Sequence, residues 1–319
     1  MKLGEMIAPR MAFGEALVEA GASNDRLVVL DADVSRSTCT YLFQKRYPAR
    51  FYEVGIAEQN MVGIAAGLAA TGWVPFLSTF AVFAAGRVFD QVRVSVAYPR
   101  LNVKINGSYG GVPTGKAGAT HSAGEDLALM RAMPNMTVIT TADAVEVRKA
   151  VYASLEYDGP VYLRTVRCPV PVIFSDTYDF RIGKAHTLRD GKDLTIIATG
   201  MMTGKALSAA DILRQERIDV RLLHIHTLKP IDEEAIIKAS EETGAIITVE
   251  NHSKIGGLGS AVAEVIGEHA PCRLCRLGFN DTFIESGDDE AVFSKLGVNV
   301  EHIVAKGREV MDRRGNRHR

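Results

Sequence analysis

Cysteine is scarce in this chain, with four in 319 residues, far below the density of a disulfide-stapled domain. Two of the four, in Cys272-Arg-Leu-Cys275, have a metal-like spacing but no second pair beside them. Buried thiols on a strand are the better reading, and no metal site is expected in the chain itself. Long apolar runs are missing too. The small-apolar stretch from Met61 to Ala70 falls well short of the ~20 residues of a membrane span. The opening Met1-Lys-Leu-Gly-Glu-Met places Glu5, and then Arg10, where a signal peptide would carry its apolar core, so the cytoplasm is the expected compartment. Neither sign of charge is in excess. With 37 basic and 38 acidic residues the net charge is −1, and no global field draws the chain to nucleic acid or a membrane. Only the end, Asp312-Arg-Arg-Gly-Asn-Arg-His-Arg319, is basic, and a solvated, frayed terminus is expected there.

What is present fits a sizeable core: 47% of the residues are hydrophobic, and the length suggests two domains. Apolar, β-branched runs alternate with helical stretches. Residues 26–30, 101–105, 137–140 and 160–163 read as strands, and 10–20, 57–71, 83–97 and 143–156 as helices. After a stretch rich in Pro, Gly and Asp, 171–192, the alternation resumes. Strands are expected at 194–198, 220–223, 245–249 and 273–277, and helices at 203–215, 232–242 and 259–268. The expected fold class is α/β, with two parallel-sheet domains, 1–170 and 193–319, joined by the 171–192 linker. Ile255-Gly-Gly-Leu-Gly-Ser260 invites a phosphate-loop reading. It lacks the Lys-Ser/Thr of a Walker loop and the spacing of a dinucleotide fingerprint, so a tight turn with close helix packing is expected. His252 beside it is expected to be structural.

Glu58 is the most informative residue. It lies in Phe51-Tyr-Glu-Val-Gly-Ile-Ala-Glu-Gln-Asn60, where a short extended stretch ends at Gly55 and a run of small apolar residues follows. A carboxylate at the mouth of a buried helix is costly unless something hydrogen-bonds it; an exposed first-turn Glu favoured by the helix dipole is the alternative. Further on come Ser78-Thr-Phe80-Ala-Val-Phe83, Asp90-Gln-Val, Gly118-Ala-Thr-His121 and Arg131-Ala-Met-Pro-Asn135.

In this order, these blocks resemble the pyrimidine-binding domain of transketolase-like, thiamine diphosphate-dependent enzymes, and the resemblance continues through the C-terminal third. It implies that Glu58 hydrogen-bonds the coenzyme's pyrimidine nitrogen, a task for one carboxyl in a dry pocket. Phe80 and Phe83 would wall the ring and exclude water. His121 would move protons on and off ketose oxygens. Arg10, Ser37 and Arg164 match positions that hold the substrate phosphate, where arginine's planar fork is suited; a surface salt bridge is the rival reading for each arginine. The family holds Mg²⁺ and the diphosphate with a Gly-Asp-Gly segment, and this chain has none. The expectation is therefore the C-terminal subunit of a split transketolase, partnered by an N-terminal subunit that carries Mg²⁺, in an α2β2 assembly acting on sugar phosphates.

Two departures bear on the sugar. Ala117 stands where many of these enzymes have an Asp that reads a hydroxyl, and the loop Asn106 to Gly115 is slightly longer. Where the family often has a phosphate-binding His, this chain offers Asn106 or Gly107, so an unusual ketose donor is expected. The enzymatic rival is the β subunit of a 2-oxo acid dehydrogenase's decarboxylase component. The rival from another class is a non-catalytic α/β scaffold subunit.

Overall fold

The computed structural model describes residues 1–112 and 114–315; the last four residues of the basic end, 316–319, lie outside the described residues. In the N-terminal half the apolar runs form a seven-stranded sheet. Its order is Thr227–Lys229, Thr137–Thr140, Val161–Arg164, Lys104–Ser108, Val74–Phe80, Leu27–Asp31 and Phe51–Glu53. Every pairing is parallel except that of Thr227–Lys229. The interior strand Val74–Phe80 is not among those read from sequence, and it carries Pro75, a residue disfavoured inside a sheet. The sheet tolerates Pro75 because the ladder to Lys104–Ser108 starts one residue later, at Phe76.

Helices cover both faces of this sheet. Pro9–Ser23 and Ala144–Glu156 bury Phe13, Leu17, Val147 and Val151 over Phe76. On the other face, Glu58–Ala70 sends Met61, Val62 and Ala65 against Leu30, Leu77 and Ile105. The expected helix over 83–97 is broken. It is a wide π turn at Phe83–Arg87, a single turn at Phe89–Gln91, and a second π segment at Val92–Ala97. Gly86 and the β-branched Val88, Val92, Val94 and Val96 make this stretch a weak regular helix.

The second sheet runs Arg273–Phe279, Ala245–Ser253, Leu194–Ala198, Val220–His224 and His186–Arg189, parallel except at the last pairing. His186–Arg189, a short strand within the stretch expected to link the domains, is an edge strand of this sheet. Thr227–Lys229 goes further and crosses back to pair with Thr137–Thr140 in the first sheet. Cys275 lies on the strand Arg273–Phe279 and Cys272 just before it; both thiols are half-buried.

The strand Ala245–Ser253 runs to the junction of the two halves. Buried Glu250 accepts from the backbone N–H groups of Leu258 and Gly259, at 2.7 and 2.9 Å, at the start of helix Leu258–His269. The glycine-rich turn thus presents its helix N-terminus to the protein's own carboxyl. A Cβ on Gly257 would lie 1.9 Å from Glu250 Oε2, so only glycine fits. Burial pushes the Glu250 carboxyl up to about 7 and holds the His252 imidazole down at about 4. Their 3.7 Å approach is therefore no ion pair near neutral pH. His252 Nδ1 donates to Ser253 O at 2.7 Å and Nε2 accepts from Ala128 N at 3.4 Å.

Glu250 gives a pH prediction. Its folded pKa of about 7 is above the usual 4.5, so the folded state binds the extra proton between those values. Its contribution is full below about 4.5 and is lost as pH rises toward 7. Glu250→Gln mimics the neutral acid. The melting temperature of the native protein relative to this variant is expected to fall between those pH values; a constant difference would contradict the assignment.

Candidate active site

Glu58 opens helix Glu58–Ala70, whose N-cap, Ala57, offers no side-chain bond. The unpaired N–H groups of that first turn favour a carboxylate there. The side chain is only 3% exposed, and Oε1 accepts a 2.7 Å bond from Arg87 Nη1. The π turn at Phe83–Arg87 brings Arg87 back over its own Phe83 ring, 4.0 Å from the ring centre. Phe83 meets His121 edge-on at 5.5 Å, and Phe80, the last residue of its strand, lies 5.9 Å from the same imidazole. Glu58, Phe83, Phe80 and His121 are thus connected through Arg87, at the carboxyl ends of parallel strands, where α/β sheets bind ligands.

His121 follows the turn Gly115–Thr120. Its Nδ1 lies 2.8 Å from Thr120 Oγ1. The neck of its loop is closed by a bridge between Gly110 and Ala123 and by Gly111 N donating to Ala123 O at 2.9 Å. The C-terminal half holds this neck. Asn251 Nδ2 donates to Gly110 O at 3.2 Å and to Val112 O, while its Oδ1 accepts from Val112 N at 2.9 Å. Ser253 N donates to Gly124 O at 2.8 Å.

An open cleft of about 630 Å³ runs past His121, with Phe80, Tyr109, Ala117 and Arg167 on it. Tyr109 packs against Phe80 with ring centres 4.5 Å apart and planes tilted by 36°, and the guanidinium carbons of Arg10 and Arg167 lie 6.0 and 5.9 Å from its ring centre. Arg10 Nη1 donates to Ser37 O at 3.1 Å, while its buried Nε has no partner among the described residues. Arg10 and Ser37 therefore sit together and beside Tyr109.

Arg164, expected at the substrate phosphate, is not among the residues on this cleft. It is 3% exposed and bidentate to Asp126, Nε to Oδ2 at 2.8 Å and Nη2 to Oδ1 at 3.0 Å. Nη2 also donates to Ala123 O and Asn251 O, at 3.1 and 3.0 Å. Its Nε and Nη2 are thus committed to the protein itself. The cleft's arginine is Arg167, three residues on and exposed. Asn106 and Gly107 are likewise committed to the sheet. Asn106 is fully buried, donating to Ser78 Oγ at 2.7 Å, and Gly107 packs under the Tyr162 ring. Sequence reasoning missed Arg87, Tyr109, Arg167 and Asn251. Each lies within four residues of one already singled out, but nothing local marked it as a partner of the site.

Comparison with known proteins gives the family. Residues 5–171 match the transketolase pyrimidine-binding domain and residues 183–303 the transketolase C-terminal domain. The 6-deoxy-6-sulfo-D-fructose transketolase subunit SqwH of Clostridium sp. (strain MSTE9) is 44% identical, over 97% of this chain and 96% of the relative. An apulose-4-phosphate transketolase subunit of Phocaeicola vulgatus is 42% identical, over 93% and 96% respectively. A solved split-gene transketolase, described as an inactive β4 tetramer, superposes with a TM-score of 0.90 at 48% identity. That match covers 96% of this chain and 99% of the other. The chain belongs to the transketolase family, of which it carries the pyrimidine-binding and C-terminal domains.

Proposed function

We propose that this chain is the C-terminal subunit of a split transketolase. With an N-terminal partner subunit, in an α2β2 assembly, it transfers a two-carbon ketol unit from a ketose phosphate to an aldose phosphate. The observation that carries the reading is buried Glu58, joined through Arg87 to Phe83 and so to His121, which lines an open cleft with Phe80.

The residues fit the pyrimidine half of thiamine diphosphate. Among the described residues the one hydrogen bond to the Glu58 carboxyl comes from Arg87, which leaves Oε2 for a ring nitrogen. Phe80 and Phe83 supply flat apolar surface for that ring. The coenzyme, when bound, supplies the nucleophilic carbon that accepts the two-carbon unit. Glu58 holds or yields a proton at the pyrimidine nitrogen, and the phenyl rings keep water away. Thr120 orients His121 through Nδ1, which makes Nε2 the nitrogen that exchanges protons with the ketose carbonyl and hydroxyls. Arg10, whose Nε lacks a partner among the described residues, and Arg167 are the cations for the sugar's anionic group, with Ser37 beside Arg10. The relatives named for a sulfonated fructose and for apulose 4-phosphate are consistent with an anionic sugar. The diphosphate and Mg²⁺ fall to the partner, because no Gly-Asp-Gly occurs in the 319 residues. A cytoplasmic role in carbohydrate metabolism follows from the same reading.

The test is co-production with a Gly-Asp-Gly-bearing N-terminal partner from the same source. Mg²⁺-dependent thiamine diphosphate binding and ketose phosphate turnover are expected of the pair and of neither chain alone. A pair that turns over pyruvate or a branched oxo acid instead would move the assignment to the decarboxylase rival. A pair that binds no coenzyme would leave the scaffold reading.

A further inference from the structure

One wall of the cleft does not come from the pyrimidine-binding domain. Gly287, Asp288 and Asp289 line the same cavity as His121, Ala117 and Arg167. They belong to the C-terminal domain, at the turn into helix Asp289–Lys295. The turn is anchored on both sides. Ile284 is 4% exposed and packs into the core of the second sheet with Phe279 and Phe293. Ser286 presses on the His121 loop at Gly118, where φ is +68° and an added Cβ would lie 2.4 Å from Ser286 Oγ. Asp288 is fixed further as the helix N-cap, accepting from Glu290 N at 3.1 Å and Ala291 N at 3.4 Å through Oδ1. Asp288 is thus held, with Asp289 next to it on the same cleft, on a built surface that touches the His121 loop.

The chemistry of the two walls differs. The N-terminal domain gives the cleft Arg167, Lys116 and His121; the C-terminal domain gives it two carboxylates. A phosphate or sulfonate is attracted to the first set and repelled by the second. Sugar hydroxyls are donors, and a fixed carboxylate is a strong, directional acceptor for them. Ala117, in the same cleft, has a methyl group that can accept nothing.

We propose that the C-terminal domain reads the sugar, with Asp288 and Asp289 accepting hydrogen bonds from substrate hydroxyls and supplying the stereochemical selection that Ala117 does not. This rests on the transketolase reading of the same cleft. Selectivity in this subunit is then divided: cations on one domain hold the anionic group, and acceptors on the other select the configuration of the carbons between it and the reacting carbonyl. A site built to hydrogen-bond a hydroxyl discriminates far more strongly than an apolar one, because its acceptors go unpaired with the wrong epimer.

The experiment uses the reconstituted pair with Asp288→Asn, Asp289→Asn and the double substitution. Asparagine keeps the N-cap at 288 and the side-chain volume at both positions. Ketose phosphates that are epimers at single carbons serve as donors, and thiamine diphosphate binding is measured alongside. At least one substitution is expected to lower kcat/KM for the best donor about tenfold or more. The ratio between epimers should contract by a similar factor, with coenzyme affinity unchanged. Native kcat/KM and native epimer ratios in all three variants would overturn the proposal while leaving the transketolase reading intact. A native pair that turns over no ketose phosphate would overturn both. Loss of coenzyme affinity together with activity would mean the turn only supports the fold, and would overturn it as well.

Discussion

Glu58→Gln in the reconstituted pair is expected to lower kcat by a factor of about 10²–10⁴, the usual contribution of a positioned acid–base group. Glutamine keeps the length and volume of the side chain, and its carbonyl can still accept from Arg87, which lies 2.7 Å from Oε1 in the native protein. The fold should therefore survive. The pairing lost is with an arginine that is itself 42% exposed, so the stability change is expected to be near that of a surface ion pair, about 1 kcal/mol or less. What glutamine cannot do is give up and recover a proton. Coenzyme affinity is expected to fall much less than kcat, because one hydrogen bond is weakened rather than a pocket lost. Steady-state kinetics, coenzyme titration and a melting curve on the same preparation separate the three quantities. A variant within threefold of native kcat would sink the catalytic role, and equal loss of coenzyme binding and melting temperature would make Glu58 a structural carboxylate.

Glu58 was legible because local signals converge on it: an extended stretch, a glycine, a carboxylate, then a small apolar helix. The strands at 27–31, 137–140, 194–198 and 220–224 were legible for a similar reason, since hydrophobic runs specify parallel strands nearly by themselves. What sequence hides is which distant group a residue will meet. Arg164 and Arg167 are three apart in one short segment, and nothing local says which faces the cleft. The answer lies in Asp126, 38 residues away, and in Asn251, 87 residues away. The edges between domains are hidden in the same way. Thr227–Lys229 is contiguous with the second half, but its strand partner is Thr137–Thr140. The wall at Asp288 and Asp289 becomes part of a site only when the two halves pack together.

Arg164→Ala is expected to destabilise the protein by about 3–5 kcal/mol, the cost of breaking a buried ion pair by removing one partner. The geometry supports the upper part of that range. Both groups are sealed, at 3% and 1% exposure. The truncation leaves the Asp126 carboxylate with Tyr162 as its remaining side-chain donor among the described residues, through a 2.7 Å bond. It also strips a donor from Asn251 O and from Ala123 O, which keeps Gly111 N, and a buried acceptor that loses a donor adds to the penalty. Those carbonyls belong to the neck of the His121 loop and to the strand that clamps it, so kcat should fall along with stability. Arg167→Ala makes the contrast. That side chain is exposed, so its loss should leave the unfolding midpoint nearly unchanged while raising KM for the anionic sugar. Replacing the whole pair by apolar residues of similar volume, Arg164→Met with Asp126→Leu, is expected to recover much of the stability. Denaturant midpoints for the four proteins, together with donor KM values, decide the matter. If Arg164→Ala costs less than about 1 kcal/mol and instead raises KM, the buried pair is incidental and Arg164 returns to the substrate. If stability collapses with Arg164 and KM moves with Arg167, the two arginines of one segment have separate tasks. One fastens the two domains around the catalytic loop, and the other meets what enters the cleft.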